Sequence, residues 1–394
     1  MSSRGVWCMK NVAVFFGGRS VEHEVSIITG LQIIENIDKT KYNVIPIYVN
    51  KEGKWLTGNS LMEFKNFKEN NLKDAQEIVL SHNYGDNNIY LSPRSASFFK
   101  KKVLGKIDVA FPAFHGMNGE DGTVQGLFEL MDIPYVGCGV LGSALGMDKI
   151  LMKDVYKANN IPVVDYTWFY RSQWIENKDE VIKSIEEKIS YPMFVKPANL
   201  GSSIGISKAK DREGLEYAIE VAIRYDRKII VEKAVEEARE INCAVLGYDD
   251  NIITSLCEEP IGWKEILTFE DKYITSNVKG KGAAERRRIP AELDDSLREE
   301  IEELAKLAFK AIDGKGISRI DFLVDKNNKV FVNEINTLPG SMAFYLWEGK
   351  GYPFRRLIDE LIDIAIKVYE DKKKNSYTYE ANLLNRTQFG AKIK

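Results

Sequence analysis

The chain has 394 residues, with 55 Lys and Arg against 58 Asp and Glu for a formal charge of −3; 44% of its residues are hydrophobic and 29% are charged. That balance suits a soluble globular chain of two or three domains and argues against a nucleic-acid or anionic-membrane partner. No apolar run approaches the ~18–20 residues that cross a bilayer, and the four cysteines and three histidines show neither disulfide rhythm nor zinc spacing, so a reduced cytoplasm is the expected compartment.

Residues 1–10 read as a tail. The run 11–16 (NVAVFF) is continuously apolar and ends in Gly17-Gly18, the pattern of a buried parallel strand entering a loop. Ser20 is the expected helix cap ahead of Val25, Ile28, Leu31 and Ile34, which share one helical face. A second strand is expected at 42–49, and 59–103 is polar and weakly periodic, an insertion or peripheral element. Strand character returns at 107–114 and leads into the glycine-rich stretch 116–122. Helices are expected at 123–131 and 147–160, and strands at 163–170 and 191–195. Further strands follow near 228–232 and 240–247, then a helix over 291–312, a hairpin over 317–336 and a closing helix over 353–370. The residues after 371 read as a loosely held tail.

The hairpin carries the strongest local argument. Two apolar-rich strands flank Asn327-Asn328, and asparagine suits the φ > 0 positions of a tight turn. With those two residues as the loop, Asp321 lies opposite Glu334 and Arg319 opposite Asn336, all on one face. Opposed like charges destabilise a sheet. Either the acids splay into solvent, or a divalent cation between them reverses the sign, and hard oxygen ligands suit Mg²⁺. A one-residue slip would turn all four residues to the other face.

The segment 194–205 (FVKPANLGSSIG) joins a strand to a Gly/Ser loop. It is either a plain turn or a phosphate cradle, with backbone N–H groups, Ser202 and Ser203 as donors and Lys196 as charge. Its spacing fits neither a Walker A loop nor a dinucleotide fingerprint. Lys149 reads as a surface lysine or a second phosphate contact. His115 follows an apolar strand, at the strand end where α/β folds place ligands.

Taken together, Gly17–Ser26, Phe114-His115-Gly116, Gly119–Thr123, Pro134–Gly137, Met147-Asp148-Lys149, the 196–205 loop, Glu240, Lys272-Tyr273, Arg319–Phe322 and Asn333–Gly340 occur in an order that resembles the D-alanine–D-alanine ligase family of the ATP-grasp superfamily. The resemblance covers nearly all of 11–370. It implies an α/β fold (α+β in part) of three domains: an N-terminal parallel-sheet substrate domain at 11–118, a central ATP-grasp domain at 119–211 and a C-terminal ATP-grasp domain at 212–371, with a tail at 372–394. It implies ATP and two Mg²⁺ or Mn²⁺ ions, small-molecule substrates (D-alanine, with D-serine or D-lactate as the alternative second substrate), and is compatible with a homodimer.

By that resemblance Lys149, Lys196 and Ser203 contact phosphates, with Lys272 beside the nucleotide. Glu232 and the backbone of Lys233–Val235 hold adenine, Glu240 holds ribose, and Asp321, Glu334 and Asn336 hold the metals. Glu22 holds the ammonium of the first D-alanine and connects through Ser202 to Tyr273, with His115 near the same substrate. Arg319 and the Gly340 N–H stabilise the oxyanion. A carboxylate is a poor electrophile, so ATP first makes it an acyl phosphate, and phosphoryl transfer needs positioning and charge neutralisation. Shielding that species from water calls for a lid, and 267–283 is the candidate. One departure stands out: where many family members place a serine for the second substrate's carboxylate, this chain has Tyr345, which leaves Ser341 as a substitute.

Overall fold

The computed structural model describes residues 9–93, 102–261 and 287–381. Its strands form three sheets that follow one another along the chain. The first holds β1 (Lys10–Gly17), β2 (Tyr42–Val49), β3 (Trp55–Thr57), β4 (Gln76–Leu80), β5 (Asn88–Leu91), β6 (Val103–Lys106) and β7 (Val109–Pro112), in the order β6-β5-β4-β3-β2-β1-β7. β1 is parallel to both β2 and β7. Its residues alternate between two apolar layers. Val12, Val14 and Phe16 pack with the helices His23–Asn36 and Phe354–Lys372, while Ala13 and Phe15 pack with the helix Thr123–Met131. Cover on both faces is why this strand is an unbroken apolar run.

Two expectations change here. Within the polar 59–103 stretch, β4 and β5 are antiparallel strands that together with β3 and β6 extend the first sheet from β2 outward, so the peripheral element is built into the sheet. It hid from periodicity because its strands are short and mostly half-buried. Ser20 does not cap a helix: its hydroxyl donates to the His115 carbonyl (2.7 Å) and accepts from the Glu22 N–H (3.2 Å). Glu22 takes the cap position, and the helix begins at His23.

The second sheet is antiparallel, built from β8 (Tyr166–Tyr170), β9 (Met193–Pro197), β10 (Ser207–Ala209) and β11 (Lys228–Lys233) in the order β10-β9-β11-β8. Helices Lys178–Glu186 and Arg212–Ala222 cover one face through Val181, Ile182, Ile185, Leu215, Ala218 and Ile219. The third sheet holds β12 (Arg239–Tyr248), β13 (Asn251–Pro260), β14 (Arg287–Arg288), β15 (Gly316–Val324) and β16 (Val330–Asn336), again all antiparallel. The helix Asp295–Ala311 covers one face of it. It starts at 295 rather than 291 because the Asp294 side chain accepts the Leu297 N–H (2.9 Å). Among the described residues no helix is long and apolar enough to cross a membrane.

The hairpin pairs Asp321 with Glu334 and Arg319 with Asn336, as expected, but by a different route. The turn is not Asn327-Asn328 alone. Asp325 and Lys329 close it, with the Asp325 carboxylate accepting the N–H groups of Asn327 (2.8 Å) and Lys329 (2.9 Å). That longer loop would shift the register by one, and a bulge at Asn333 shifts it back, since Phe322 pairs with Val332 while Asp321 pairs with Glu334. The bulge follows from hydrophobicity: it keeps Val330, Val332 and Ile335 all in the core beneath the Asp295–Ala311 helix.

Candidate active site

Across β9 and β11, Lys196 pairs with Ile230 and Phe194 with Glu232, so all four share a face and Lys196 reaches Glu232 diagonally. The helix Lys149–Ala158 lies on that face, where Ile150 packs with Ala198 and Ile230. Its other apolar residues, Met152 and Tyr156, join the core of the third sheet, so this helix ties the two sheets together. Lys149 and Lys153, four apart, lie on one side of the helix.

Lys153 is wholly buried, with its Nζ 3.2 Å from Glu232 Oε1 and donating to the Asn333 carbonyl (3.2 Å). Lys196 Nζ lies 2.6 Å from Glu232 Oε2 and donates to Asn333 Oδ1 (3.4 Å). Glu232 is therefore clasped by two ammonium groups. Burial works against its charge, but Lys153 and Lys196 together hold its pKa down to about 2. Burial also opposes the charge on Lys196, yet Glu232, Glu334 and Glu240 keep its pKa raised. For Lys153 desolvation wins, and its pKa is lowered. The bulge at Asn333 is what turns this residue toward both lysines.

On the third sheet the lateral row Glu258–Asn242–Asp321–Glu334 crosses four strands, and its members share one face. Glu240, Arg319 and Asn336 project from the same side by alternation. Asp321 is 2% exposed and takes Arg319 bidentately (Nε–Oδ1 2.7 Å, Nη2–Oδ2 2.8 Å), while Asn336 Nδ2 donates to Asp321 Oδ2 (3.2 Å). Burial disfavours the guanidinium charge, but Asp321 overrides it and raises the Arg319 pKa. Lys149 Nζ donates to the Leu200 carbonyl (2.8 Å) and stands 3.8 Å from Glu334 Oε2. A face bearing two acids and an amide thus meets a face bearing lysines.

Among the described residues no three His, Cys, Asp or Glu side chains cluster as a metal site. The set Asp321, Glu334 and Asn336 offers two carboxylates and one amide oxygen. That fits Mg²⁺, which takes one or two protein carboxylates and fills its remaining positions with phosphate and water oxygens. The two carboxylates already neighbour Arg319 and Lys149, so a cation fits there only together with an anionic phosphate.

A second cluster lies at the mouth of the first sheet. Glu22 is 5% exposed at the start of the helix His23–Asn36, and its Oε1 accepts a hydrogen bond from Ser202 Oγ. Ser202 and Ser203 both hold positive φ (57° and 58°), which bends the 199–205 loop back toward Glu22. The loop is anchored where Asn199 N and Nδ2 donate to Asp226 Oδ2 (2.8 and 2.9 Å). Gly116 is required at its place: with φ +77°, a Cβ there would sit 2.8 Å from Glu22 Oε2. His115 Nε2 meets Thr29 Oγ1 at 2.8 Å, and the Ser341 N–H donates to the same oxygen (3.1 Å). His115 and Ser341 are thereby brought together through Thr29.

Of the backbone expected to hold adenine, the Lys233 N–H already donates to the Asp165 carbonyl (2.9 Å); Val235 follows two residues on, half-buried. Gly340 opens a turn in which Ser341, Met342 and Ala343 all hold positive φ. Tyr345, at the place where the family pattern puts a serine, donates its hydroxyl to Glu258 Oε2 (3.1 Å). Lys272, Tyr273 and the 267–283 lid lie outside the described residues.

Sequence reasoning missed Lys153, Thr29, Asn333 and Glu258. Lys153 had a signal: it falls in the stripe of Ile150, Met152 and Tyr156 on an amphipathic helix, where a lysine must be paired. Asn333 lay in the resembling stretch Asn333–Gly340 with no role attached, and Glu258 had no signal, since a bulge and a cross-sheet row are tertiary features.

Family models described as D-ala D-ala ligase N-terminus and C-terminus match residues 11–138 and 155–363. A D-alanine–D-alanine ligase of Thermosipho africanus is 42% identical over 379 residues, which is 96% of this chain and 99% of that protein. Among solved structures, the D-alanine–D-alanine ligase from Coxiella burnetii has a TM-score of 0.76 at 31% identity, covering 93% of this chain and 96% of that one. The VanG D-Ala:D-Ser ligase from Enterococcus faecalis has a TM-score of 0.75 at 32% identity, covering 91% and 100%. On these matches, which run through all three sheets, the chain belongs to the D-alanine–D-alanine ligase family.

Proposed function

We propose that this protein is a cytoplasmic ATP-dependent ligase that joins two D-alanines, releasing ADP and phosphate, to supply a peptidoglycan precursor. The observation that carries this reading is the register of β15 and β16. It sets Asp321 beside Glu334, with Arg319 and Asn336 on the same face, across from Lys149, Lys153 and Lys196.

Lys149 and Lys196 bind the nucleotide's phosphates, and Lys196 arrives already charged because Glu232 holds its proton in place. Glu240 takes the ribose, and the backbone at Lys233–Val235 takes the adenine. Asp321, Glu334 and Asn336 would hold Mg²⁺, which would supply charge neutralisation at the transferred phosphoryl group. Glu22, oriented by Ser202, binds the ammonium of the first D-alanine and points its carboxylate toward that phosphoryl group. His115 and Thr29 hold the Ser341 turn against this subsite. When the second amine attacks the acyl phosphate, Arg319 and the Gly340 N–H stabilise the oxyanion, a contribution of ~3–4 kcal/mol per donor in comparable sites.

The test is product identity. Purified protein given ATP, Mg²⁺ and D-alanine with competing D-serine or D-lactate should make mostly the D-alanine dipeptide. A dominant mixed product overturns the second substrate. ATP binding without D-alanine-dependent ADP release overturns the enzyme in favour of a nucleotide-binding regulatory module.

A further inference from the structure

Lys153 is a buried charge with no step of its own in the proposed reaction. Its side chain is 0% exposed, whereas that of Lys196 keeps 11% of its surface. Both lysines face Glu232, itself 2% exposed: Lys196 Nζ lies 2.6 Å from Oε2, and Lys153 Nζ stands 3.2 Å from Oε1. They approach from different elements, Lys196 from β9 and Lys153 from the helix Lys149–Ala158. Each also donates to Asn333, Lys196 to the side-chain oxygen (3.4 Å) and Lys153 to the backbone carbonyl (3.2 Å). Burial opposes the Glu232 charge, and the two ammonium groups keep it ionised. One buried carboxylate thus has two counter-ions, and one of the two is wholly enclosed.

That duplication matters when a phosphate arrives. A phosphate oxygen competes with Glu232 for the Lys196 ammonium, and a carboxylate left buried without a partner is strongly disfavoured. With Lys196 as its only counter-ion, Glu232 would hold that lysine back. Lys153 stays in place, because it is enclosed and the Asn333 carbonyl fixes its ammonium from a second direction. Resting on the phosphate role given to Lys196 in the ligase reading, we propose that Lys153 is a positioning residue for the nucleotide's phosphates, which it does not touch. It remains on Glu232 as a permanent counter-ion, so that Lys196 turns its ammonium to phosphate without stranding a buried charge.

The experiment compares the binding of ATP with that of adenosine, which lacks the phosphates, in the presence of Mg²⁺. The ratio of the adenosine to the ATP dissociation constant reads what the phosphates add. K153M, which removes the charge and keeps an unbranched side chain, should lower that ratio about tenfold or more. E232Q removes the charge that restrains Lys196 and should keep the ratio at or above the wild-type value, even where both ligands bind more weakly. Adding K153M to E232Q should then change the ratio by less than about threefold, because no stranded carboxylate remains to be compensated. An unchanged ratio in K153M overturns the proposal, even where its thermal stability falls, since a merely structural lysine would lower stability alone. A drop of about tenfold on adding K153M to E232Q overturns it too, and that comparison decides the matter if K153M alone does not fold. Wild-type protein that binds ATP no more tightly than adenosine overturns the phosphate role of Lys196 instead. Wild-type protein that binds ATP tightly and forms no dipeptide overturns the ligase reading, so the failures are distinguishable.

Discussion

Ser202 Oγ donates a hydrogen bond to Glu22 Oε1, joining the 199–205 loop of the second sheet to the first helix across 180 residues of sequence. The bond holds a buried acid at one orientation. Ser202→Ala leaves that carboxylate less constrained, a loss of ~1–3 kcal/mol for a charged hydrogen bond. The KM for the first D-alanine should rise about 5- to 150-fold, with little change in ATP affinity. Steady-state kinetics at saturating ATP checks this, and an unchanged KM would remove Glu22 from the first subsite.

Asp321 and Glu334 face each other with Arg319 and Lys149 beside them, so a divalent cation would join them together with the nucleotide's phosphates. Glu334→Gln should abolish turnover and weaken Mg²⁺-dependent nucleotide binding by tenfold or more, while leaving the far-ultraviolet spectrum unchanged. Calorimetric titration with ATP at graded Mg²⁺ reads the metal dependence directly. Turnover at the wild-type rate would end the metal assignment.

Arg319 is fixed bidentately by Asp321, a planar fork that lysine cannot reproduce. Arg319→Lys and Arg319→Ala should both lower the rate of dipeptide formation, by ~10²–10³ for the alanine variant. ATP dissociation constants should move far less. If nucleotide binding fails while the residual rate per bound complex is normal, Arg319 serves the phosphates and not the oxyanion.

What the sequence disclosed and what it hid divide along one physical line. β1 and β2 were readable as apolar runs because sheets covered on both faces bury successive residues, and the helix Thr123–Met131 by the period of its apolar face. The pairing of Asp321 with Glu334 was readable too, but only because two departures cancelled: a loop longer than two residues and a bulge at Asn333. The resemblance named Lys196 and Glu232 for separate parts of the nucleotide, and nothing local said that they clasp each other. Lys153, which completes that clasp, depends on a helix crossing between two sheets. Pairing across sheets is a tertiary fact, and one sequence does not carry it.

That clasp has a pH signature. A carboxyl whose folded pKa is about 2 stabilises the fold fully above its unfolded value near 4.5, and the contribution is lost as pH falls through that window. In protein labelled with ¹³C-glutamate, the Glu232 carboxyl signal, assigned with E232Q, should stay ionised at pH 3.5 while exposed glutamates titrate. Urea denaturation should show stability falling between pH 4.5 and 2. Titration of Glu232 near 4.5 would mean that the lysines do not hold it in solution.

Asp148 does two jobs at the start of the helix that carries Lys149 and Lys153. Its Oδ1 accepts the N–H groups of Ile150 (3.1 Å) and Leu151 (3.2 Å), and its Oδ2 pairs with the buried Lys228. The cap is worth ~1 kcal/mol. Removing one partner of a buried pair costs ~3–5 kcal/mol, because the other charge stays behind. Asp148→Ala should therefore lose both contributions in urea denaturation. Asp148→Asn keeps an oxygen for the cap but loses the pair, so it should fall between wild type and alanine. The double variant Asp148→Asn with Lys228→Met should recover part of the deficit, since it no longer leaves an ammonium buried alone. The same helix start sets the Lys149 backbone, whose N–H donates to the Ala198 carbonyl (3.0 Å), so KM for ATP should rise in the alanine variant more than in the asparagine one. Equal stability of Asp148→Asn and wild type would show that the Lys228 pair contributes nothing net, leaving the cap as the only role of Asp148.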